Sequence, residues 1–495
     1  MRSLDLIVFI IYIILLLVVG ALFYKRNRSS SSFTLGDNTI PTWVISLSLF
    51  ATFVSSISYL ALPGIAYQQN WNSFVFSLSL PIAAVMAVKY FVPLYRELNS
   101  PSAYTFLEIR FGAWARIYAA TMYLLTQIMR VGTILYLMAL VPNTLFGWDI
   151  MIIIIFTSII IMMYSIMGGI SAVVWTDAIQ AIVLVVGALV CIFFIIIKVP
   201  GGLTEIISTG SAGGKFALGS FGMNLSDNTF WVVFVYGLFI NLQNLGADQN
   251  YIQRYMTSKS LKDAQKSAVW GVVLYIPVSL IFLFIGTSLF VLYQSGAAEL
   301  PAELTDIKNA DRIFPWFIAH ELPAGITGLL IASIFAAGMS TISTSYNSAA
   351  TIILTDFYST YAGKDSPERK KLLVLYVSTV VICLAGMGVA MALINTESVL
   401  NTWWKLASVF SGGILGLFLL GIFSRIQNSS AALVGVTAGL GVIVWMTVSD
   451  LYFPGHAWAN QFHPYLTIVF GTTVIFIVGF FLGMLLDKQK NRNTH

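Results

Sequence analysis

Charged residues are scarce in this chain, and their scarcity excludes an ordinary soluble protein. Asp, Glu, Lys and Arg make up 9% of the 495 residues, whereas hydrophobic residues make up 58%. A typical soluble domain carries about 25% charged residues. Apolar runs of about 20 residues recur from end to end, and each is long enough to cross a hydrocarbon core of about 30 Å. The composition therefore predicts an all-α integral membrane protein.

Cysteine and histidine are also few, which argues against catalytic and metal-binding chemistry. Cys191 and Cys383 lie inside apolar runs, a position that favours small buried side chains over a disulfide or a metal site. The four histidines form no ligand cluster, and no group of His, Cys and carboxylates offers a catalytic site. We therefore expect no enzyme. The net charge of +5 indicates contact with lipid headgroups and requires neither a nucleic acid nor an obligate protein partner.

Thirteen segments are apolar and long enough to be membrane spans. We expect one transmembrane domain over 1–495, with an extra helix and loop in 1–40, a ten-helix core in 41–424, and two C-terminal helices with a tail in 425–495. The predicted spans are 4–24, 41–67, 73–96, 113–143, 149–167, 170–198, 228–249, 266–294, 323–356, 371–394, 400–424, 428–448 and 466–486.

The basic residues predict the orientation, because cytoplasmic loops carry an excess of Lys and Arg. One set of connections, together with the C-terminal tail, holds most of them, and we place Arg254 in this set. The opposite set holds Arg2, Lys198, Lys215, Lys308 and Arg312. The sequence therefore predicts a protein of the inner (plasma) membrane with its N-terminus outside and its C-terminus in the cytoplasm.

Two spans contain residues that interrupt a helix. In the second span, hydroxyl side chains cluster within 51–59, and Pro63-Gly64 follows. The seventh span carries several side-chain amides and Gly246 before Asp248. Broken helices occur at membrane depth only inside protein or around a cavity. The two irregular spans are five apart, as expected for two five-helix units of inverted topology that meet at a midplane site.

The ninth span carries a stripe of hydroxyls. Ser340, Ser343, Thr344 and Asn347 follow helical spacing and share one face. Sodium is a hard cation that is held by several oxygens. The stripe, with Thr341 and with carbonyls freed at Ala51 and Val54, is therefore a candidate cation site. Alternatively, these small residues let helices pack closely and bond to their own backbone.

Two charged residues within the spans are candidates for function. Asp177 begins an apolar span; it is either a counter-ion for a cation or proton, or a helix cap at the membrane surface. Arg130 lies near the middle of its span, and a guanidinium fork matches a carboxylate with two parallel hydrogen bonds. Arg130 therefore predicts an anionic substrate, the alternative being a structural bond to carbonyls of the broken second span.

Several motifs together resemble the sodium:solute symporter family. They are 102–112 (SAYTFLEIRFG), 168–180 with its Trp-Thr-Asp, 248–255, 340–348 and the glycine-rich 412–423. The resemblance implies a LeuT-type fold with a 5+5 inverted repeat, alternating access and sodium-driven uptake. It also implies a first sodium bound by carbonyls of Ala51 and Val54 with Ala337, Ser340 and Thr341.

Within that family the chain is most similar to bacterial sodium/sialic acid symporters, through 55–58, the Arg130 segment and 340–347. The likeness implies import of N-acetylneuraminate and related carboxylated sugars, with Arg130 on the carboxylate. It further implies substrate contacts from Ser55, Ser56, Ser58 and Ser77, and a second sodium at Asp177, Ser340, Ser343 and Thr344. Phe53 and Ser77 replace the Thr and Gln that such transporters can carry, which leaves open which sialic acid is preferred.

The alternatives are another solute of the same family, namely a sugar, proline or a monocarboxylate, and an ion channel or receptor. Nothing in the sequence supplies the repeated filter loop of a channel.

Overall fold

The computed structural model describes residues 3–24, 29–36, 39–304, 310–363, 365–394, 413–424, 428–453 and 455–492. Within these helices the side chains of 24, 56, 57, 144, 145, 303, 310, 311, 450, 451 and 488–492 are not described. The described part of the chain is helical and contains no β-strand. The predicted all-α membrane class is thus confirmed.

The first half of the chain carries eleven α-helices. They are α1 Ser3–Tyr24, α2 Ser30–Leu35, α3 Thr42–Phe53, α4 Ser56–Gln68, α5 Phe74–Leu78, α6 Leu80–Met86, α7 Val92–Leu98, α8 Thr105–Phe111, α9 Ala113–Phe146, α10 Ile150–Lys198 and α11 Gly202–Ala212. A 3-10 turn, Trp71–Ser73, precedes α5, and a π-helical turn, Ala87–Phe91, joins α6 to α7.

The second half continues with α12 Phe230–Ala247, α13 Gln249–Met256, α14 Leu261–Gln294, α15 Ala310–His320, α16 Ile326–Ile352, α17 Ser359–Tyr361, α18 Glu368–Ala392, α19 Gly413–Phe423, α20 Ser429–Tyr452 and α21 Leu466–Arg492. A 3-10 turn, Ala302–Leu304, precedes α15, and a π-helical turn, Ile353–Tyr358, joins α16 to α17.

Ten helical segments, one of which (Trp71–Leu98) combines α5, α6 and α7, are long and apolar enough to cross a membrane in the described part of the chain, or eleven when the bent pair α3 and α4 counts as one span. The difference from thirteen has two sources. Helix α10 runs for 49 residues and covers two predicted spans, although Gly169 within it has non-helical backbone (φ 53°, ψ −155°). The predicted span 400–424 lies largely outside the described residues, and α19 is its described part.

Helix α16 lies at the centre of the molecule. Every residue from Leu330 to Ile352 is buried, although this stretch holds the hydroxyl stripe. Helices α1, α9, α10 and α18 pack around it, while α3 and α4 pack against α14. Because polar side chains are costly in hydrocarbon, they lie here where neighbouring helices supply partners. The stripe therefore faces protein on every side.

Candidate ion and substrate sites

The second predicted span is broken, as the sequence indicated. Helix α3 ends at Phe53 and α4 begins at Ser56, and the two meet at an angle of 53°. Val54 (φ −92°, ψ 111°) and Ser55 (φ −107°, ψ 171°) between them have extended backbone. The last carbonyls of an interrupted helix have no intrahelical donor, so the break presents carbonyl oxygens inside the protein.

Oxygens of α16 meet this break. The Ser340 hydroxyl lies 3.5 Å from the Ala51 carbonyl and 3.1 Å from the Ala337 carbonyl. The Thr341 hydroxyl donates to the same Ala337 carbonyl at 3.2 Å. Val54, which lies in the break itself, is fully buried. Hydroxyl hydrogens rotate, so these oxygens can turn lone pairs toward a cation. Four of the five residues predicted for the first sodium thus share one oxygen-rich cluster.

The other end of the stripe serves helix packing, the alternative that the sequence left open. The Gln253 amide on α13 donates to Asn347 of the stripe at 2.8 Å, and the hydroxyl of Ser345, next to the stripe, donates to Gln127 on α9 at 2.8 Å. Buried polar groups need such partners, because each one left unbonded costs about 1–3 kcal/mol. The stripe therefore divides into an oxygen cluster at Ser340 and Thr341 and a set of interhelical hydrogen bonds.

Asp177 is fully buried in the middle of α10 and bonds to two other helices, α3 and α13. One oxygen, Oδ2, accepts from the Ser48 hydroxyl at 2.7 Å and from Arg254 Nη2 at 2.5 Å. Arg254 also donates to the Thr344 hydroxyl at 2.5 Å. The second oxygen, Oδ1, is buried and has no hydrogen-bond partner among the described residues. An unpartnered carboxylate oxygen fits a position for a cation.

The residues predicted for the second sodium are close together on two helices. Asp177 and Thr344 are bridged by Arg254, and the Ser343 hydroxyl donates to the Ser340 carbonyl at 3.1 Å. Our assignment of Arg254 to a cytoplasmic connection is wrong, because its side chain is fully buried in this ion pair. Every residue of α13 is buried, so the segment after the seventh span returns into the protein.

Arg130 faces a second helix break. Helix α12 ends at Ala247 and α13 begins at Gln249, and Asp248 between them has extended backbone (φ −89°, ψ 119°). Arg130 Nη2 lies 3.3 Å from Asp248 Oδ2, and 19% and 7% of the two side chains are exposed. Asp248 Oδ1 accepts from the Asn250 amide at 2.8 Å and so caps α13. The predicted irregularity before Asp248 is therefore a true break that carries an acidic partner for Arg130.

Aromatic rings link the two breaks. The ring of Phe53 lies 4.8 Å from that of Tyr251 and 5.6 Å from that of Tyr275. The Tyr251 hydroxyl donates to the Thr52 carbonyl at 3.2 Å. Because Tyr251 belongs to the helix that Asp248 caps, the oxygen cluster and the Arg130 pair belong to one continuous structure.

The serines predicted for the substrate are distributed around the first break. Ser55 and Ser58 are half-buried, and the side chain of Ser56 lies outside the described residues. Ser77 is buried, and its hydroxyl donates to the Ser279 hydroxyl of α14 at 3.0 Å. Ser77 is thus joined to the wall formed by α14.

Comparison with known proteins gives the chain a family. Residues 33–439 match the Sodium:solute symporter family, as the motifs implied. The chain is 35% identical over 451 residues to the sodium/sialic acid symporter SiaT of Proteus mirabilis, covering 89% of each. It is 30% identical over 494 residues to the sodium/sialic acid symporter NanT of Aliivibrio fischeri, covering 99% of this chain and 94% of NanT.

A solved structure agrees with these sequence matches. A Na+-coupled sialic acid symporter in a substrate-bound outward-open state superimposes with a TM-score of 0.89 at 30% identity, covering 97% of this chain and 98% of the other. The LeuT-type architecture implied by the motifs is therefore the fold of this chain. Members of this family are multi-pass membrane transporters that couple the movement of a solute to that of sodium, so this chain is a transporter and not an enzyme. The chain belongs to the sodium:solute symporter family.

Proposed function

We propose that this protein imports sialic acid, N-acetylneuraminate or a related carboxylated sugar, together with sodium by alternating access. The observation that carries the proposal is a guanidinium, Arg130, that is only 19% exposed and is held at a helix break within membrane-spanning structure. The relatives SiaT and NanT, at 35% and 30% identity, are both sodium/sialic acid symporters, which supports the same substrate class here.

The substrate carboxylate binds the Arg130 guanidinium, and Asp248 holds that guanidinium in place. Arg130 and Asp248 are together neutral, so an anionic substrate brings one uncompensated negative charge into a medium of low dielectric. Hydroxyls of Ser55, Ser56 and Ser58 then contact the sugar, with Ser77 and Phe53 forming the wall that selects among sialic acids. A sodium ion nearby offsets the added charge and makes the two ligands bind cooperatively.

The first sodium binds Ala51 and Val54 carbonyls of α3 and the break, with Ala337, Ser340 and Thr341 of α16. This ion joins α3 to α16 and so favours the conformation in which the substrate pocket is complete. The second sodium binds Asp177 with Ser340, Ser343 and Thr344, beside Arg254. Since each ligand favours the state that binds the other, the coupling is reciprocal. The membrane potential contributes about 2.3 kcal/mol per 100 mV for each charge carried inward.

We further infer thirteen spans in one transmembrane domain, with a 5+5 inverted repeat in 41–424. A continuous helix of 49 residues would be about 73 Å long, more than twice the hydrocarbon core. Gly169 divides α10 into two spans, because its φ of 53° is a left-handed conformation in which the chain can turn. With α19 this gives thirteen, and the distribution of basic residues orients the N-terminus outside the plasma membrane.

Uptake into proteoliposomes tests the proposal. Labelled N-acetylneuraminate should accumulate when sodium is outside and should remain at background when choline replaces sodium. Unlabelled N-acetylneuraminate should compete, whereas glucose, proline and lactate should not. Sodium-dependent uptake of one of these other solutes, without any uptake of sialic acid, would contradict the substrate and favour the alternative that the sequence left open.

A thermal-shift screen of the purified protein provides an independent check of the solute. A ligand that binds only the folded state raises its apparent stability by about 2.7 kcal/mol at a hundred times its dissociation constant. N-acetylneuraminate should raise the midpoint in sodium and much less in choline. A larger sodium-dependent shift with proline, a neutral sugar or a monocarboxylate would instead identify that solute.

A further inference from the structure

Helix α16 carries hydroxyl groups of both proposed sodium sites. The residue before its first turn, however, supplies no side chain to cap its N-terminus. The residue before it, Gly325, has φ 86° and no side chain, and the helix has no side-chain cap hydrogen bond from that position. The first amides of a helix have no intrahelical acceptor and must find one elsewhere, above all inside a membrane.

Asp5 of α1 supplies that acceptor from 320 residues away in sequence. Its Oδ1 accepts from the Gly325 amide at 2.6 Å and from the Gly328 amide at 3.0 Å. Asp5 as a whole residue is only 2% exposed. A carboxylate at a helix N-terminus also interacts favourably with the helix dipole, and this interaction is strongest where water is excluded.

The two backbones touch at this point. A Cβ added at Gly328 would lie 2.6 Å from both the Cα and the carbonyl oxygen of Asp5. Glycine at 328 therefore lets α1 approach close enough for the carboxylate to reach the amides. The contact is fixed by both backbones and by two charge-assisted hydrogen bonds.

A second contact lies further along the same two helices, next to the oxygen cluster. The Tyr12 hydroxyl of α1 lies 4.0 Å from the sulfur of Met339, the residue before Ser340. Gln180 of α10 donates to the Tyr12 hydroxyl at 3.2 Å, and Tyr164 of α10 donates to the Met339 carbonyl at 3.2 Å. Helix α1 thus holds α16 at its first turn and again beside the proposed ion ligands.

We propose that Asp5 is a positioning residue for sodium. By capping α16, it fixes the position of Ser340 and Thr341 along the helix axis relative to the Ala51 carbonyl. This inference rests on the first sodium site of the proposed function. Helix α1 then belongs to the ion-binding machinery although none of its residues touches the ion. Loss of the carboxylate lowers sodium affinity, and substrate affinity at saturating sodium stays the same.

The test measures how sodium alone raises the thermal stability of the purified full chain. Asp5→Ala should increase the sodium concentration for half of the effect by about threefold to tenfold, the range expected for a buried helix-terminal charge. Asp5→Asn should give a smaller increase, because its amide oxygen can still accept from the two amides. Tyr12→Phe removes the second contact and should give an increase of its own.

Asp149→Asn is the matched control. Asp149 caps α10 in the usual way, accepting from the Ile152 amide at 3.0 Å, and it is exposed. This variant should leave the sodium midpoint unchanged. If Asp5→Ala does not fold, Asp5→Asn and Tyr12→Phe provide the comparison. A lower melting temperature in Asp5 variants with an unchanged sodium midpoint would overturn the inference, since the cap would then be structural only.

Uptake measurements separate this inference from the substrate assignment. In sodium-dependent uptake, Asp5→Ala should raise the half-saturating sodium concentration while the maximal rate at high sodium is retained. If the wild type is stabilised by sodium but does not take up sialic acid, the substrate proposal fails and the sodium midpoints still decide the role of Asp5. If sodium does not stabilise the wild type at all, the role of Asp5 fails as well.

Discussion

Arg130→Lys is the most informative perturbation of the proposed substrate site, because it keeps the charge and removes the planar fork. A guanidinium can give a carboxylate two parallel hydrogen bonds, whereas an ammonium acts as a point charge. A charge-assisted hydrogen bond contributes about 1.5–3 kcal/mol, so losing one should weaken binding by about tenfold to a hundredfold. The KM for N-acetylneuraminate should therefore rise by that factor.

Asp248 explains why lysine is the better choice than alanine. Arg130→Ala should abolish uptake, but it also leaves the buried Asp248 carboxylate without its partner. Breaking a buried ion pair on one side costs about 3–5 kcal/mol, so loss of uptake could then reflect loss of folding. The double variant Arg130→Ala with Asp248→Asn removes both charges. It should fold close to the wild type and still fail to transport.

The assay is uptake of labelled substrate into proteoliposomes at fixed sodium, with KM and Vmax measured separately. Arg96→Lys is a matched control, since Arg96 donates to the carbonyls of Met256 and Ser258 away from the substrate site. Its KM should not change. The methyl ester of the substrate, which lacks the carboxylate, should bind the wild type weakly and should bind Arg130→Lys no more weakly. This is expected because the ester and the lysine substitution both remove the same interaction between the carboxylate and residue 130. A wild-type KM for Arg130→Lys would refute the carboxylate contact.

Three further predictions concern the second sodium site, the packing of α4 against α14 and the loop before α21. Asp177→Asn should lower the Hill coefficient for sodium in uptake, and an unchanged coefficient in a folded variant would contradict a second sodium site. Gly286→Ala places a Cβ 2.1 Å from the Pro63 carbonyl, so overpacking should cost about 1–3 kcal/mol and lower the melting temperature, whereas Gly388→Ala, with nothing within 4 Å, should not. His463, in the loop before α21, has a pKa lowered by burial, and its Nδ1 accepts a hydrogen bond from the backbone amide of Tyr465. Because the unfolded chain binds the proton more readily than the folded chain, the stability of the protein should fall as the pH drops below about 6.5. His463→Gln should weaken this pH dependence. Equal pH profiles for the two proteins would contradict this role.

Local signals allowed much of the fold and part of the site to be predicted. Apolar runs marked the spans, because twenty apolar residues have few other stable environments. Hydroxyl, proline and glycine clusters marked the break at Val54 and Ser55, and amides before an acid marked the break at Asp248. Helical spacing predicted that Ser340, Ser343 and Thr344 share one face of α16. Each of these features depends on residues that are near in sequence.

Pairings between distant residues could not be predicted in the same way. Arg130 and Asp248 lie 118 positions apart, and Asp177 and Arg254 lie 77 apart, so no periodicity connects them. Arg254 was misassigned because counting basic residues treats every charge after a span as a loop charge. The polar helix α13, which carries Arg254 into the interior, is too short and too polar to register as membrane-embedded. Asp5 capping α16 is a contact of the same long-range kind.

Coupling between sodium and sialic acid can be measured from equal concentrations of labelled N-acetylneuraminate inside and outside proteoliposomes. Only a sodium gradient is then imposed, so the substrate has no gradient of its own. Sodium-coupled transport should move sialic acid to the low-sodium side until its concentration there exceeds that on the other side, and this difference should collapse when a sodium ionophore removes the gradient. Sialic acid that remains equally distributed while sodium flows, or that moves equally well in choline, would contradict sodium-coupled sialic acid transport.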